Sequence, residues 1–381
     1  MRRRTTLACA LALAAGAAVA AGPAQAGPNA GASSGHAVFI QLNSPAGNSV
    51  RVFRRSSTGT LTPAGDFPTG GKGGAAANAV VDPLASQGSL VYDARHRRLY
   101  AVNAGSDSLA VFDVHGARLT RRQVIASGGA FPVSVAVRGD LLYALNAGGE
   151  GAVQGFRITN AGLTPLAYAA RSLHLGNTNP PAFLSAPAQV GISPDARHLV
   201  VTTKNHNTID VFALDRDGRP QGAAVVTTTF SPVPFAFVFT RQGIAVTEVA
   251  TSALTHYRLH PDGTLTPLGS AADGQAALCW IQPLRGHFYG ANAGSGSVSA
   301  FALSHDGAVS LSGGNGGVAA HPGGAPIDMA ASGSYLYVQN PGTGQINGYR
   351  ANANGTLTPV TTVTGLPVAT PGNGMEGIAA S

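Results

Sequence analysis

A seven-bladed β-propeller, all-β with four antiparallel strands per blade, is the fold class this sequence predicts, on three observations. The first is a phrase repeated seven times. Its fullest copy runs Leu99-Tyr100-Ala101-Val102-Asn103-Ala104-Gly105, then a turn, then Leu109-Ala110-Val111-Phe112, and shortly afterwards a Gly-x-Leu-Thr element. The second is an aromatic column, Phe53, Phe112, Phe156, Phe212, Tyr257, Phe301 and Tyr349, at intervals of 59, 44, 56, 45, 44 and 48 residues. The third is a glycine behind each aromatic: Gly59, Gly116, Gly162, Gly218, Gly263, Gly307 and Gly355. Two columns in one register, with a period near ~40–50 residues and about four strands per unit, mark a propeller. One such sheet cannot bury both faces alone, so seven in a row demand a closed ring.

The elements follow in order. Arg2-Arg3-Arg4, an apolar run from Leu7 to Ala21 and Ala24-Gln25-Ala26 read as an export signal over residues 1–26. Residues 27–35 read as a flexible linker, and 36–381 as one propeller domain. The first copy, from His36, begins at the second strand of a blade. The third unit shows the full pattern: strand A at Pro132–Val137, B at Leu141–Asn146, C at Ala152–Ile158 and D beginning near Leu163, alternating and bounded by turn residues. Asp262-Gly263 and Asp306-Gly307 are hairpin turns. The last segment, Met375 to Ala380, is an orphan strand A expected to complete the first blade and close the ring.

Composition narrows the function. Charged residues are 11% of the chain, and loss of the leader arginines lowers the net charge from +7 to +4. No basic cluster interleaves with aromatics, which argues against nucleic-acid binding. No segment reads as a transmembrane helix. Cleavage of the leader would leave Cys279 alone, so no intramolecular disulfide is expected in the exported protein. A monomer is expected, outside the cytoplasm.

Two long connections between strands D and A, Gly70 to Gly88 and Ala170 to Pro187, point to one face of the ring as the functional one. At the end of strand B stands a column of Ser44, Asn103, Asn146, Thr203, Glu248, Asn292 and Asn340. Asparagine there caps the B–C turn or offers hydrogen bonds to a ligand. Glu248 alone is acidic, and is a candidate acid/base or the partner of a structural salt bridge. On strand A, Asp328 and Glu376 are expected to approach the same channel funnel as Glu248. Three carboxylates could hold a hard cation such as Ca²⁺, or simply be solvated around the channel; no other cofactor is implied. Lys204 lies at a neighbouring B–C turn, and His174 and His321 lie in D–A loops, where each is a candidate base or a solvated side chain. Cys279 reads as a small buried hydrophobe.

The blade-closing Gly-x-Leu-Thr-Pro phrase, the run Val190-Gly191-Ile192-Ser193-Pro194-Asp195 with Leu199, and the Tyr/Leu-x-x-Asn B strands resemble the lactonase family of seven-bladed propellers, which includes 6-phosphogluconolactonase and the carboxymuconate lactonizing (cyclase) enzymes. The resemblance spans about residues 36–381 and suggests a secreted branch. It implies a small lactone or hydroxy-acid-type ligand at the channel mouth, hydrolysed or formed there, with Glu248 on the family's strand B glutamate. The family's His-x-His falls on Ala186 and Ala188, its Arg-His pair near Pro234-Phe235 and a further arginine near Ala293. That loss of cations supports the alternative, a non-catalytic propeller binding a small molecule or a cell-envelope component. Asn103, Asn146, Lys204, Asn292, Asp328, Asn340 and Glu376 are the candidate binding residues.

Overall fold

Seven sheets stand around a central channel in a computed structural model that describes residues 35–381. The leader and almost all of the linker lie outside the described residues. The innermost strands are Gly374–Ala380, Leu90–Asp93, Pro132–Arg138, Pro187–Ile192, Pro234–Phe239, Leu278–Leu284 and Ile327–Ser332. Each touches the innermost strand of the next blade, and the last returns to the first. Within a blade the chain runs outward, strand A to strand D, by antiparallel hairpins. The sixth blade carries one extra short strand, Val318–Ala320.

The first blade closes as the sequence requires. Gly374–Ala380 pairs antiparallel with Ala37–Asn43, Phe39 facing Ala379 and Leu42 facing Met375. Ala37–Asn43 is buried along its whole length because it is a second strand, not an edge. All seven members of the aromatic column are buried between blades. Neighbouring blades are also tied by polar bonds. The Tyr143 hydroxyl donates to the Gly218 carbonyl at 2.7 Å, and that of Tyr337 to the Gly59 carbonyl at 2.8 Å. Gly59 and Gly218 of the glycine column thus have a second function, since their carbonyls receive the preceding blade.

All seven column glycines have positive φ. At Gly59 (φ +86°) an added Cβ would lie 2.4 Å from the Tyr335 ring. At Gly222 (φ +63°) it would meet nothing within 4 Å. Gly222→Ala therefore costs only the left-handed strain, about 1–2 kcal/mol. Gly59→Ala adds a clash, and is expected to lower stability by roughly 3 kcal/mol or more in denaturant titration. Equal losses would contradict this packing.

Strand A is not a regular column. In six blades its pairing with strand B slips by a β-bulge, between Ile40 and Leu42 on the partner strand in the first blade, Pro132 and Ser134 in the third, Leu278 and Trp280 in the sixth, and Ile327 and Met329 in the seventh, among others. A bulge re-aims the side chains around it. Asp328 lies within one, with a left-handed φ of +21°.

Candidate functional site

The two long D–A connections close one end of the channel. Ala77 bridges to Ala182 in parallel fashion, with the Ala77 amide donating to the Pro181 carbonyl and the Phe183 amide to the Ala77 carbonyl. Behind this bridge residues 82–86 are buried and form a plug. The third, fourth and sixth blades hold it. The Trp280 indole donates to the Ser86 carbonyl at 2.9 Å, and the Ser86 hydroxyl to the Val133 carbonyl at 2.8 Å. The Gln87 amide side chain pairs with the Ile281 backbone in both directions, and Lys204 donates its Nζ to the Ala85 carbonyl at 2.7 Å.

Three ionisable groups meet behind the plug. Asp82 and Glu376 stand side by side, the Leu84 amide donating to both. Two adjoining buried carboxyl groups disfavour double ionisation, so one is kept protonated. Glu376 Oε2 accepts from the Leu84 amide at 3.3 Å, and Asp82 accepts from the amides of Leu84 and Ser86 at 3.1 and 2.9 Å. Lys204 is 1% exposed and also lies over the rings of Phe183 and Phe235, at 5.2 and 5.5 Å. Burial, opposed by the Asp82 charge, pushes its ammonium down to about 7. Burial pushes both carboxyl groups up, Glu376 well above the usual range with the charge of Asp82 adding to the effect. A proton shared by two carboxyl groups beside an easily deprotonated lysine can supply acid, base and cation within one enclosure.

Asp328 adds a fourth group. Its Oδ1 accepts from its own neighbour's amide, Met329, at 2.8 Å. Burial first, and the charge of Asp82 last, push its carboxyl up to about 7. An unfolded aspartate titrates near ~3.9. The folded-state pKa is raised, so the stabilising contribution of Asp328 is complete below about pH 4 and is lost as pH rises to about 7. Asp328→Asn should therefore gain on the parent protein by a few kcal/mol, as an order of magnitude, between pH 4 and 8. Denaturant midpoints against pH measure this. A constant difference across that range would contradict the assignment.

The structure divides the three carboxylates expected in one funnel. Glu376 and Asp328 interact with each other and with Asp82, whereas Glu248 is turned into its own blade. Its Oε2 accepts from Thr255 Oγ1 at 2.7 Å and the Ser231 amide at 3.1 Å, and its Oε1 from the Tyr257 hydroxyl. Glu248 is fully buried, and burial raises its pKa. It fills the place of the asparagines in other blades, two of which likewise bond the side chain seven residues ahead: Asn292 to Ser299 at 2.9 Å, Asn340 to Asn347 at 2.5 Å. Its extra methylene carries the carboxylate on to the aromatic column.

Asn103 and Asn146 also bond inside the protein, Asn103 to Thr69 and Asn48, Asn146 to the Ser127 carbonyl. In the first blade the strand B terminus is Asn43, one residue before Ser44, because the B–C turn there is one residue longer. His321 and His174 are exposed. Cys279 is buried, and burial pushes its thiol up to about 12. Among the described residues no group of three or more His, Cys, Asp or Glu is arranged to hold a metal ion, and no helix is long and apolar enough to cross a membrane. Asp82 escaped the sequence reading. Its signal was the apolar run Ala79-Val80-Val81-Asp82-Pro83-Leu84-Ala85, an acid amid hydrophobes in a long loop.

Comparison with known proteins agrees with this architecture. The family model described as Lactonase, 7-bladed beta-propeller, matches residues 44–164, which bears out the resemblance read from the repeats. A protein of Lactobacillus plantarum superposes with a TM-score of 0.69 at 18% identity, over 91% of this chain and 99% of its own. The Pseudomonas aeruginosa periplasmic gluconolactonase gives 0.68 at 15% identity, over 90% and 99%. A candidate 6-phosphogluconolactonase of Bacteroides fragilis gives 0.67 at 16%, over 93% and 100%. At these identities the likeness is one of fold. No curated protein matches the chain.

Proposed function

We propose that this lactonase-like propeller opens, or in reverse closes, a small hydroxylated lactone at the plugged end of its channel, with Asp82, Glu376 and Lys204 as the reacting groups. The observation that carries this is the burial of a lysine beside two carboxyl groups that share the Leu84 amide as donor. A propeller needs no such cluster for its packing, and replacing buried charges by apolar residues is often neutral or stabilising. In the proposed reaction, the ionised member of the acid pair takes a proton from water as the oxygen attacks the lactone carbonyl. The Lys204 ammonium faces the developing oxyanion. As the ester bond breaks, the protonated member gives its proton to the ring oxygen, leaving a hydroxy-carboxylate.

The charge balance favours a neutral lactone over a phosphorylated one, because one cation stands against Asp82, Glu376 and Asp328. Entry requires the plug to swing out, with Ala77–Ala182 as the contact that parts. The leader pattern supports a reaction outside the cytoplasm. Continuous acid titration of γ- and δ-lactones with the parent and Asp82→Asn tests the proposal. Hydrolysis that falls at least a hundredfold in Asp82→Asn supports it, the size of a lost general acid or base. Hydrolysis unchanged in the variant overturns it. The density of hydrogen bonds on the plug favours a second reading, a permanently closed ring that binds elsewhere; for it, no lactone is turned over by any form of the protein.

A further inference from the structure

A large cavity lies at the other end of the ring, away from the plug, between the fourth, fifth and sixth blades. It has a volume of about 1160 Å³ and is built from A–B and C–D turns. Its lining mixes polar side chains with apolar ones, among them the half-buried rings of Phe239 and Phe288 and the side chain of Leu259. Arg197 and Arg241 stand exposed on its rim, one on the A–B turn of the fourth blade and one on that of the fifth. Among the described residues neither guanidinium makes an ion pair or a hydrogen bond, whereas Arg51, Arg122 and Arg219 are each paired with an aspartate. The acid on the rim, Asp195, is held by the Ser193 hydroxyl at 2.6 Å and the Arg197 amide at 3.1 Å, and the Arg197 charge acts on it without a direct ion pair.

The walls are fixed in advance by bonds between blades. His198 Nε2 bonds the Pro261 carbonyl at 3.2 Å, which joins the fourth blade to a turn of the fifth. His256 spans from Thr240 Oγ1 to the Gly307 carbonyl, both at 2.9 Å, which joins the fifth to the sixth beside Arg241. The Gln242 side chain donates to the His305 carbonyl at 3.3 Å. A preformed cleft, with two aromatic rings in its lining and two guanidinium groups at its edge, is a site for a flat ligand with one anionic end.

We propose that this cleft binds an aromatic carboxylate, the ring lying against Phe239 and Phe288 and the carboxylate meeting Arg197 and Arg241. The site is independent of the lactone chemistry proposed above. Isothermal titration of the full chain with 2-naphthoate tests it, with the uncharged 2-naphthol as comparator. Saturable 1:1 binding of 2-naphthoate is expected, at least tenfold tighter than 2-naphthol. The double variant Arg197→Gln/Arg241→Gln should weaken 2-naphthoate at least tenfold and leave the thermal midpoint unchanged, because both side chains are exposed. Phe239→Leu should weaken both probes, and Glu376→Gln neither. No saturation up to the solubility limit, equal affinity in the double arginine variant, or loss of binding in Glu376→Gln would each overturn the proposal.

Discussion

Removal of Gly374–Ser381 is expected to abolish the cooperative unfolding transition altogether. The segment supplies the innermost strand of the first blade, and its loss uncovers Ala37–Asn43, seven buried residues with unpaired backbone groups. It also deletes Glu376, and with it the bond to the Leu84 amide that helps seat the plug. An open ring exposes two strand edges, each a template for aggregation. The truncated chain should therefore elute as large aggregates and show no denaturant midpoint. A milder form of the experiment, Ile378→Ala, should cost about 2–4 kcal/mol as a buried large-to-small change. A truncated chain that unfolds cooperatively at the parent's midpoint would mean that closure contributes little.

Lys204→Met carries the second largest expected effect. The lysine is the buried donor to the Ala85 carbonyl and the cation beside Asp82. Removing one partner from a buried charged group leaves the others uncompensated, at about 3–5 kcal/mol. The loss should be local as well as global. Amide exchange at Leu84 and Ser86, whose protons are held by Asp82 and Glu376, should accelerate, because the plug loses one of its anchors. Combining Lys204→Met with Asp82→Asn should recover part of the loss, since the carboxylate left without its cation is then neutral. Additive losses in the double variant would show that the two groups do not interact.

Much of this is legible in the sequence. The aromatic and glycine columns are set by packing and turn chemistry that every blade shares, so their spacing reports the ring. Closure was legible because strand Ala37–Asn43 lacked an inner partner and Met375–Ala380 lacked an outer one. The strand A positions were not. The second blade lacks the bulge and the first and fifth slip differently from the rest, so counting from a column places Asp328 and Glu376 only approximately. Lys204 was singled out weakly, from its place beside a turn, and its burial was hidden because the loop that buries it lies more than a hundred residues away. Asp82 was hidden for the same reason, since the long loop carries no repeat against which an unusual residue stands out. Glu248 was conspicuous as a departure from the asparagine column, yet its carboxylate bonds the same strand as the asparagines do. A departure from a repeat shows where a blade differs, and the neighbours decide what the difference does.

The central claim, that chemistry resides in the buried acid–lysine cluster, is tested most directly by one comparison. Lactone hydrolysis is measured side by side for the parent, Glu376→Gln and Glu248→Gln, each first shown to unfold cooperatively. The account predicts loss of at least a hundredfold in Glu376→Gln and near-parent rates in Glu248→Gln. Loss in Glu248→Gln with full activity in Glu376→Gln would contradict it.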